Sequence, residues 1–453
     1  IILPVSLKTP GARIITMLKD ANTGMVITSD NYFERTGLNT ARIQETGCKT
    51  VLYKDINYSR DKQADSYENT EPSSPEDPAY IVFTSGTTGR PKGIVYGHKS
   101  ILNLCCWFND YYSINEKDRL TKYAEINYDA NIWEIFPALL KGAAVYTIPD
   151  ELKLDMPGLN RYFEDNKITS AYLPTPVVVQ FLPENNKSLR SLTTGGEKLK
   201  NVTTQNFRIY NNYGPAENTV CATVYPVTGN EKSIPIGKPI TNNRIYILKY
   251  NSTQVLPPGT TGEICIAGES LSRGYINDQD LNNSSFVKTT DEQRIYRTGD
   301  LGRFRSDGNL EFIGRKDRQV KIRGQRLEVE EIESVLLQYP GIKSAVVAVD
   351  ESRGEENVYL KAFITVKESW FDKTGLDKYL EAKLPAYMIP SEYIFIESIP
   401  LTITGKTDYK ALLEYKSRGS RRTKQIFNDT SGRILKIWAE VLNKNAADIE
   451  EGK

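Results

Sequence analysis

Thr84-Ser85-Gly86-Thr87-Thr88-Gly89-Arg90-Pro91-Lys92-Gly93 is the stretch on which the fold turns. It follows the apolar run Tyr80 to Phe83, so a short strand feeds a turn rich in Gly, Thr and Ser. Its glycines let the backbone come close to an anion, and successive N–H groups can form a nest around it. Ser85, Thr87 and Thr88 add hydroxyl donors, and Lys92 adds a positive charge. A Gly-rich turn alone is most often just a flexible turn. Joined to a strand, three hydroxyls and a lysine, it points to phosphate. It is not a Walker loop, because Gly-Lys-Ser/Thr does not fall at the required spacing. Gly405-Lys406-Thr407 imitates the end of one, but Pro400 stands where the first glycine belongs.

Working outward, Ile101 to Phe108 places apolar residues at helical offsets, with Ser100 the expected N-cap. Apolar runs at Ala143–Ile148, Ile209–Tyr210, Arg244–Leu248 and Glu263–Ala267 predict further strands, with helical stretches between several of them. Asp55 to Pro78 is polar and rich in Ser, Asp, Glu and Pro, and reads as a connector. A second unit starts near Gly314. It has a helix at Val329–Leu337, strands at Ser344–Val349 and Tyr359–Thr365, a helix around Leu376–Ala382 and a strand at Tyr393–Ile396. That is enough for a compact α+β domain of roughly a hundred residues. The fold class is therefore α/β, with a large N-terminal domain of mixed sheets and helices and a small C-terminal one. Lys416 to Lys424 is a basic run without interleaved aromatics, which reads as a solvated linker, and Ser431–Leu442 predicts one more amphipathic helix.

Composition excludes several function classes. The 453 residues are 39% hydrophobic and 25% charged, and the formal net charge is +1. No strong pull toward nucleic acid or anionic membrane follows from that balance. No apolar run approaches bilayer-spanning length, and a cytoplasmic protein is expected. Five cysteines (Cys48, Cys105, Cys106, Cys221, Cys265) show no metal-ligand spacing and read as reduced thiols. His98 is the single histidine, which argues against His-cluster metal sites and Ser-His hydrolysis.

The phosphate loop resembles the signature loop of the adenylate-forming superfamily, and further motifs of that family follow in order. Tyr128-Asp129-Ala130-Asn131-Ile132-Trp133-Glu134-Ile135-Phe136 resembles the substrate-binding helix. Asn211-Asn212-Tyr213-Gly214-Pro215-Ala216-Glu217 resembles the adenine and magnesium motif. Gly262 to Gly268 and Ser272-Arg273-Gly274-Tyr275 match the next block, and Tyr296-Arg297-Thr298-Gly299-Asp300-Leu301 resembles the ribose motif. Gly314-Arg315-Lys316-Asp317 with Val320-Lys321-Ile322-Arg323-Gly324 resembles the hinge. Pro400-Leu401-Thr402 with Gly405-Lys406-Thr407-Asp408 resembles the C-terminal lysine motif. The likeness runs to about Leu413 and is strongest to adenylation domains of nonribosomal peptide synthetases. It implies a large core over residues 1–313, a hinge at 314–318, a small domain over 319–416, and a linker with the truncated start of a peptidyl carrier domain over 417–453. Two departures stand out: Ala216 replaces the usual threonine, and Ile1 enters the large domain partway, so a fragment is expected.

The resemblance implies that ATP and an amino acid form an aminoacyl-adenylate and pyrophosphate, and that the aminoacyl group then passes to a carrier phosphopantetheine thiol. Lys406 is the implied central cation and Glu217 the Mg²⁺ ligand, in keeping with the few carboxylates that Mg²⁺ uses beside phosphates. Thr84, Ser85, Gly86, Thr87, Thr88, Gly89 and Lys92 would hold the β,γ-phosphates. Tyr213 would stack on adenine, Asn211 would read its amino edge, and Asp300 with Arg315 would take the ribose. Asp317 is the implied hinge. Asp129 would pair with the substrate ammonium, a charge-assisted contact, while Lys406 takes the carboxylate. The other implied pocket positions are Ala130, Trp133, Tyr172, Leu192, Thr194, Asn212, Val220 and Cys221. None of the eight is formally charged, so a bulky neutral substrate, L-leucine first, is expected. Implied partners are a carrier domain in cis, a condensation or initiation domain upstream and an MbtH-like protein. An acyl- or aryl-CoA ligase of the same superfamily and a silent partner-binding module remain as alternatives.

Overall fold

The computed structural model describes residues 1–29, 31–32, 36–56, 74–86, 90–200, 202–203, 205–229, 231, 233–289, 291–322, 325–350, 359–367, 373–402 and 407–415. A seven-stranded sheet organises the large domain, in the order Lys238–Pro239, Thr223–Val227, Arg208–Tyr213, Ser191–Gly195, Ser170–Tyr172, Arg119–Lys122, Ala144–Thr147. The last five of these strands run parallel to one another, and the first two are antiparallel additions. Of the parallel strands, Ser191–Gly195 is buried throughout and Arg208–Tyr213 is buried from Ile209 onward, as central strands covered on both faces are. The helices His98–Tyr111 and Ala130–Leu140 and the sheet share one core, built on Ile94, Tyr96, Leu104, Ile132 and Trp133. Leu159, Phe163, Val178, Phe181, Leu192 and Ile209 fill a second core, which includes the helices Met156–Asp165 and Thr175–Phe181.

Pro78–Thr84 and Lys92–Gly97 are antiparallel and flank the phosphate loop, with Gly274–Tyr275 added at the edge. Asn243–Leu248, Gly262–Gly268, Phe286–Lys288, Arg294–Phe304 and Leu310–Arg315 form an antiparallel sheet over Ile247, Ile264, Ile266 and Leu310. Near the N-terminus the helix Gly11–Asp20 covers a parallel pair, Met25–Thr28 and Lys49–Leu52. After Arg315 the chain enters a small C-terminal domain. It opens with the hairpin Val320–Ile322 and Gln325–Leu327 and continues with the three-stranded sheet Ile342–Asp350, Tyr359–Val366, Glu392–Phe395. Its core joins Leu327, Ile332, Leu336, Ile364, Leu376 and Leu380, the inward faces of its helices and strands. This is the mixed α/β architecture of large and small domains that the motifs imply.

Most predicted elements appear with ends moved by a few residues, and the helix Val329–Leu337 appears with the expected limits. One expectation fails. The helix at Ile101 begins at His98 and its N-cap is Gly97, because the Ser100 hydroxyl turns back onto the Gly97 carbonyl at 3.1 Å. All five cysteines are free, four of them buried, and the described residues hold no group of three or more potential metal ligands. No helix among the described residues is long and apolar enough to cross a membrane. The basic run Lys416–Lys424, the helix Ser431–Leu442 and most of the Asp55–Pro78 connector lie outside the described residues.

Candidate active site

A cavity of about 680 Å³ opens where the parallel strands end. Tyr123 and Ala124 follow one strand, Tyr172 ends the next with Pro174 beyond it, Gly195 ends a third with Gly196 beyond it, Asn212 lies near the end of a fourth with Gly214 beyond it, and all line the cavity. Ligands of open α/β sheets bind at this carboxyl end. Gly195 has no room for a side chain, since a Cβ there would sit 2.4 Å from the Asn212 carbonyl oxygen. Thr84 and Ser85 bring the phosphate loop to the same space, and Asp300 and Arg315 bring the ribose motif.

The amino-acid end is built around Asp129. It caps the helix Ala130–Leu140, accepting the Ala130 N–H at 2.8 Å. Enclosure by the protein raises its carboxyl pKa, opposed by that N–H and by the positive charge of Lys321. An ammonium placed beside it would relieve the cost of enclosure. Glu134, one helical turn further along, fixes where this cap lies. Its two oxygens accept the N–H groups of Tyr123 and Ala124 at 2.8 and 3.0 Å, and burial still pushes its pKa up to about 8.

Ala130, Trp133, Tyr172, Asn212 and Val220 line the cavity with Asp129, as expected of pocket residues. Leu192, Thr194 and Cys221 do not reach its wall. Leu192 belongs to the sheet core, Thr194 donates to Thr175, and Cys221 lies fully buried against Asn212. Val177 and Gln180 occupy wall positions that the sequence motifs did not suggest. Val220 is held there at φ +72°, with Cys221 N–H bonded to the Thr219 carbonyl at 2.9 Å. A β-branched residue in that region is strained by roughly 1–3 kcal/mol. The Thr219 hydroxyl on Ser270 O and the Asn218 amide on Cys221 O hold the turn in place. At the rim, Lys8, Glu125, Asp150 and Lys153 pair with one another, so the charges there are mutually compensated.

At the nucleotide end, alternation along the strand Arg208–Tyr213 turns Asn212 toward the cavity and Asn211 away from it. The Asn211 amide donates to the Pro235 carbonyl at 2.9 Å, and Asn211 is not part of the cavity wall. The Tyr213 hydroxyl donates to Asp300 at 2.6 Å, and the other Asp300 oxygen accepts from Arg315. Each carboxylate oxygen keeps a further lone pair for a diol. Arg315 also clamps Asp317 through two bonds of 2.7 Å. Glu217 is buried, 1% exposed, and accepts the Tyr275 hydroxyl and Arg326 at 2.6 Å each. Burial alone would raise its pKa; Arg326 and Tyr275 outweigh that and hold it at about 2. His98 is exposed at the start of its helix, away from this chemistry. Thr87, Thr88, Gly89 and Lys406 lie outside the described residues.

The hairpin of the small domain enters the same cavity, with Lys321, Gln325 and Arg326 on its wall. Burial lowers the Lys321 pKa, and the charges of Asp300 and Asp129 oppose it. Lys321 was visible in sequence only as part of the hinge stretch, and Arg326 was not visible as a site residue at all.

A family model for AMP-binding enzymes matches residues 1–276, and one for the AMP-binding enzyme C-terminal domain matches residues 331–406. The chain belongs to the AMP-binding enzyme family. Within it, this is an adenylation domain of the nonribosomal peptide synthetase type, the class of amino-acid adenylating ligases. The chain is 43% identical to bacitracin synthase 1 of Bacillus licheniformis over 82% of its own length and 7% of that protein. It is 37% identical to surfactin synthase subunit 1 of Bacillus subtilis (strain 168) over 99% of its length and 12% of that protein. The chain thus spans a small part of these relatives. A solved NRPS protein containing adenylation and PCP domains, bound to a vinylsulfonamide inhibitor, superposes with a TM-score of 0.75. It is 27% identical, and the match covers 97% of this chain and 74% of that one.

Proposed function

We propose that this adenylation domain activates a bulky neutral amino acid, L-leucine first, and hands it to a carrier thiol. The observation that carries this is Asp129, a half-buried carboxylate on the wall of the cavity that also receives the phosphate loop and the ribose pair Asp300 and Arg315. Fatty and aryl acids bring no ammonium to such a carboxylate. Ala130, Trp133, Tyr172, Val177 and Val220 offer the side chain an apolar wall. A charged side chain would find its rim counter-ions already paired.

The reaction joins two anions. The substrate carboxylate attacks the α-phosphorus of ATP, an acyl–phosphate bond forms, and pyrophosphate leaves. Positioning and charge stabilisation carry such a step. Asp129 orients the ammonium, Asp300 and Arg315 orient the ribose, and Lys406 supplies the cation between carboxylate and α-phosphate. Glu217 is a buried carboxylate linked to the phosphate loop through Arg326, whose carbonyl accepts the Ser85 hydroxyl, and one carboxylate suits Mg²⁺, an ion that takes most of its remaining oxygens from water and substrate phosphates. When bound there, the ion would neutralise phosphate charge. A downstream carrier domain with phosphopantetheine, an upstream condensation or initiation domain, an MbtH-like partner and a cytoplasmic setting complete the proposal.

Pyrophosphate release with ATP, Mg²⁺ and each proteinogenic amino acid tests it. Release with leucine or a similar bulky neutral residue is expected. Release with a charged amino acid overturns the pocket assignment, and CoA-thioester formation without amino-acid dependence overturns the class. Residues 314–318 are taken as the hinge and 319–416 as the moving domain. Asp317→Pro should then lower pyrophosphate release and carrier loading unequally, with release falling further, because the arrangement seen here has the hairpin in the cavity. Equal loss of both, measured separately with a preformed adenylate for the second, speaks against a hinge at Asp317.

A further inference from the structure

Glu263, in the strand Gly262–Gly268, is a carboxylate that the reaction as derived above does not use. Its side chain is 0% exposed and does not reach the cavity wall. Arg297 gives it two hydrogen bonds, one from Nε at 3.0 Å and one from Nη2. Lys316 Nζ donates to it at 2.7 Å and the Gly299 N–H at 3.1 Å. Burial alone would raise its pKa; the bonds and charges of Lys316 and Arg297 outweigh that and hold it below its ordinary value.

Two of these donors are chain neighbours of the ribose pair. Gly299 precedes Asp300 in the strand Arg294–Phe304, and Lys316 follows Arg315 at the end of the strand Leu310–Arg315. Asp300 and Arg315 stand opposite each other in the register of those strands. Gly299 is fixed on both sides, its N–H by Glu263 and its carbonyl by the Lys316 N–H at 3.0 Å. It sits at φ +76°, and a Cβ there would lie 2.8 Å from Arg315 Nη2 and 2.9 Å from Asp317 Oδ2. The bare backbone at this position lets the Arg315 guanidinium lie close against the strand that carries Asp300. Thr298 adds a second tie, accepting the Asp300 N–H at 2.9 Å and donating to the Ile264 carbonyl, next to Glu263, at 2.7 Å. Without the Glu263 charge, Arg297 and Lys316 would face each other with no counter-ion between them, which is costly where both are largely buried.

We propose that Glu263 is the positioning residue of the ribose site: through the Gly299 N–H and the Lys316 ammonium it sets the Asp300 carboxylate and the Arg315 guanidinium where a ribose diol can bond to them. The inference rests on the assignment of the ribose to Asp300 and Arg315. Glu263 touches no substrate, so its whole effect passes through the placement of groups that do. A site holds its contacts only as precisely as the shell behind them is fixed. Loss of Glu263 should therefore weaken the bonds to the ribose hydroxyls and leave the amino-acid end, built around Asp129, unchanged.

The experiment compares kcat/KM for pyrophosphate release with ATP and with 2′,3′-dideoxyATP, using the amino acid that the unaltered chain activates best. The unaltered chain should prefer ATP by roughly a hundredfold, the effect of two charge-assisted hydrogen bonds. Glu263→Gln keeps the shape and an acceptor for Gly299 but drops the charge. It should cut that preference about tenfold by losing activity on ATP alone, with the KM for the amino acid unchanged. A merely loosened fold would lower both nucleotides alike. Lys316→Met, at a position 30% exposed, leaves Glu263 paired with Arg297 and is run beside it as a milder loss that should move the preference the same way. A preference unchanged in folded Glu263→Gln, or in Lys316→Met should Glu263→Gln not fold, overturns the proposal. Asp300→Ala separates this from failure of the ribose assignment. A preference that Asp300→Ala abolishes and Glu263→Gln leaves intact overturns the proposal alone. A preference missing from the unaltered chain, or untouched by Asp300→Ala, overturns the ribose assignment and the proposal with it.

Discussion

Asp129→Ala is expected to lower kcat/KM for the amino acid by roughly 30-fold to several thousand-fold, while the KM for ATP stays nearly constant. The estimate follows from removing one partner of a buried hydrogen-bonded charge pair, about 2–5 kcal/mol, at about 1.4 kcal/mol per factor of ten. Asp129 reaches the cavity from the helix end, where it also caps Ala130. Loss of that cap costs about 1 kcal/mol of stability, which a melting curve separates from the kinetic effect. The informative comparison is leucine against 4-methylpentanoate, the same side chain and carboxylate without the ammonium. Wild type should strongly prefer leucine, and Asp129→Ala should erase most of the preference by losing activity on leucine alone. An equal loss on both acids would mean that Asp129 supports the wall and does not pair with the ammonium.

The sequence showed the site unevenly, and the reasons are physical. Glycines, hydroxyls and a lysine packed into ten residues mark a phosphate loop because the whole device is local, and the structure places its described ends, Thr84, Ser85 and Gly86, at the cavity or beside it. Asp129 and Asp300 were legible for the same reason, each within a short motif. Side-chain direction was less legible. Motif alignment put Leu192, Thr194 and Cys221 on the pocket wall, but local twist and the strained turn at Val220 turn them into the core behind it. Asn211 and Asn212 are neighbours of the same type, and only strand register decides which one faces the cavity. The contacts that the small domain makes with the loop and Glu217 were not legible at all. Arg326 and Glu217 are 109 positions apart, and Gly86 and Glu331 are 245 apart. A run of alternating charges such as Arg326-Leu327-Glu328 ordinarily signals a solvated surface, and nothing local reveals that both charges here are enclosed.

Lys406→Ala and Lys321→Ala are expected to disable opposite halves of the reaction. Lys321 is on the hairpin of the small domain, and Lys406 lies outside the described residues. Lys321 lies in the cavity, on the hairpin, close enough to Asp129 and Asp300 for their charges to raise its pKa against burial. The described neighbours of Lys406 stand elsewhere. Leu401 and Thr407 are bridged to each other, Asp408 N–H bonds to the Pro400 carbonyl, and none of these residues lines the cavity. A rigid small domain cannot present both faces to one cavity at the same time. If Lys406 provides the cation for attack on the α-phosphorus, its loss removes an interaction made in that transition state, and pyrophosphate release should fall about 10²–10³-fold. The aminoacyl transfer from a preformed adenylate should be much less affected. Lys321→Ala should do the reverse, keeping pyrophosphate release close to wild type and slowing carrier loading, because its ammonium faces the adenylate only while the hairpin is docked. Loss of the same half-reaction in both variants would mean that one arrangement of the small domain serves both steps, and it would remove the need for a hinge.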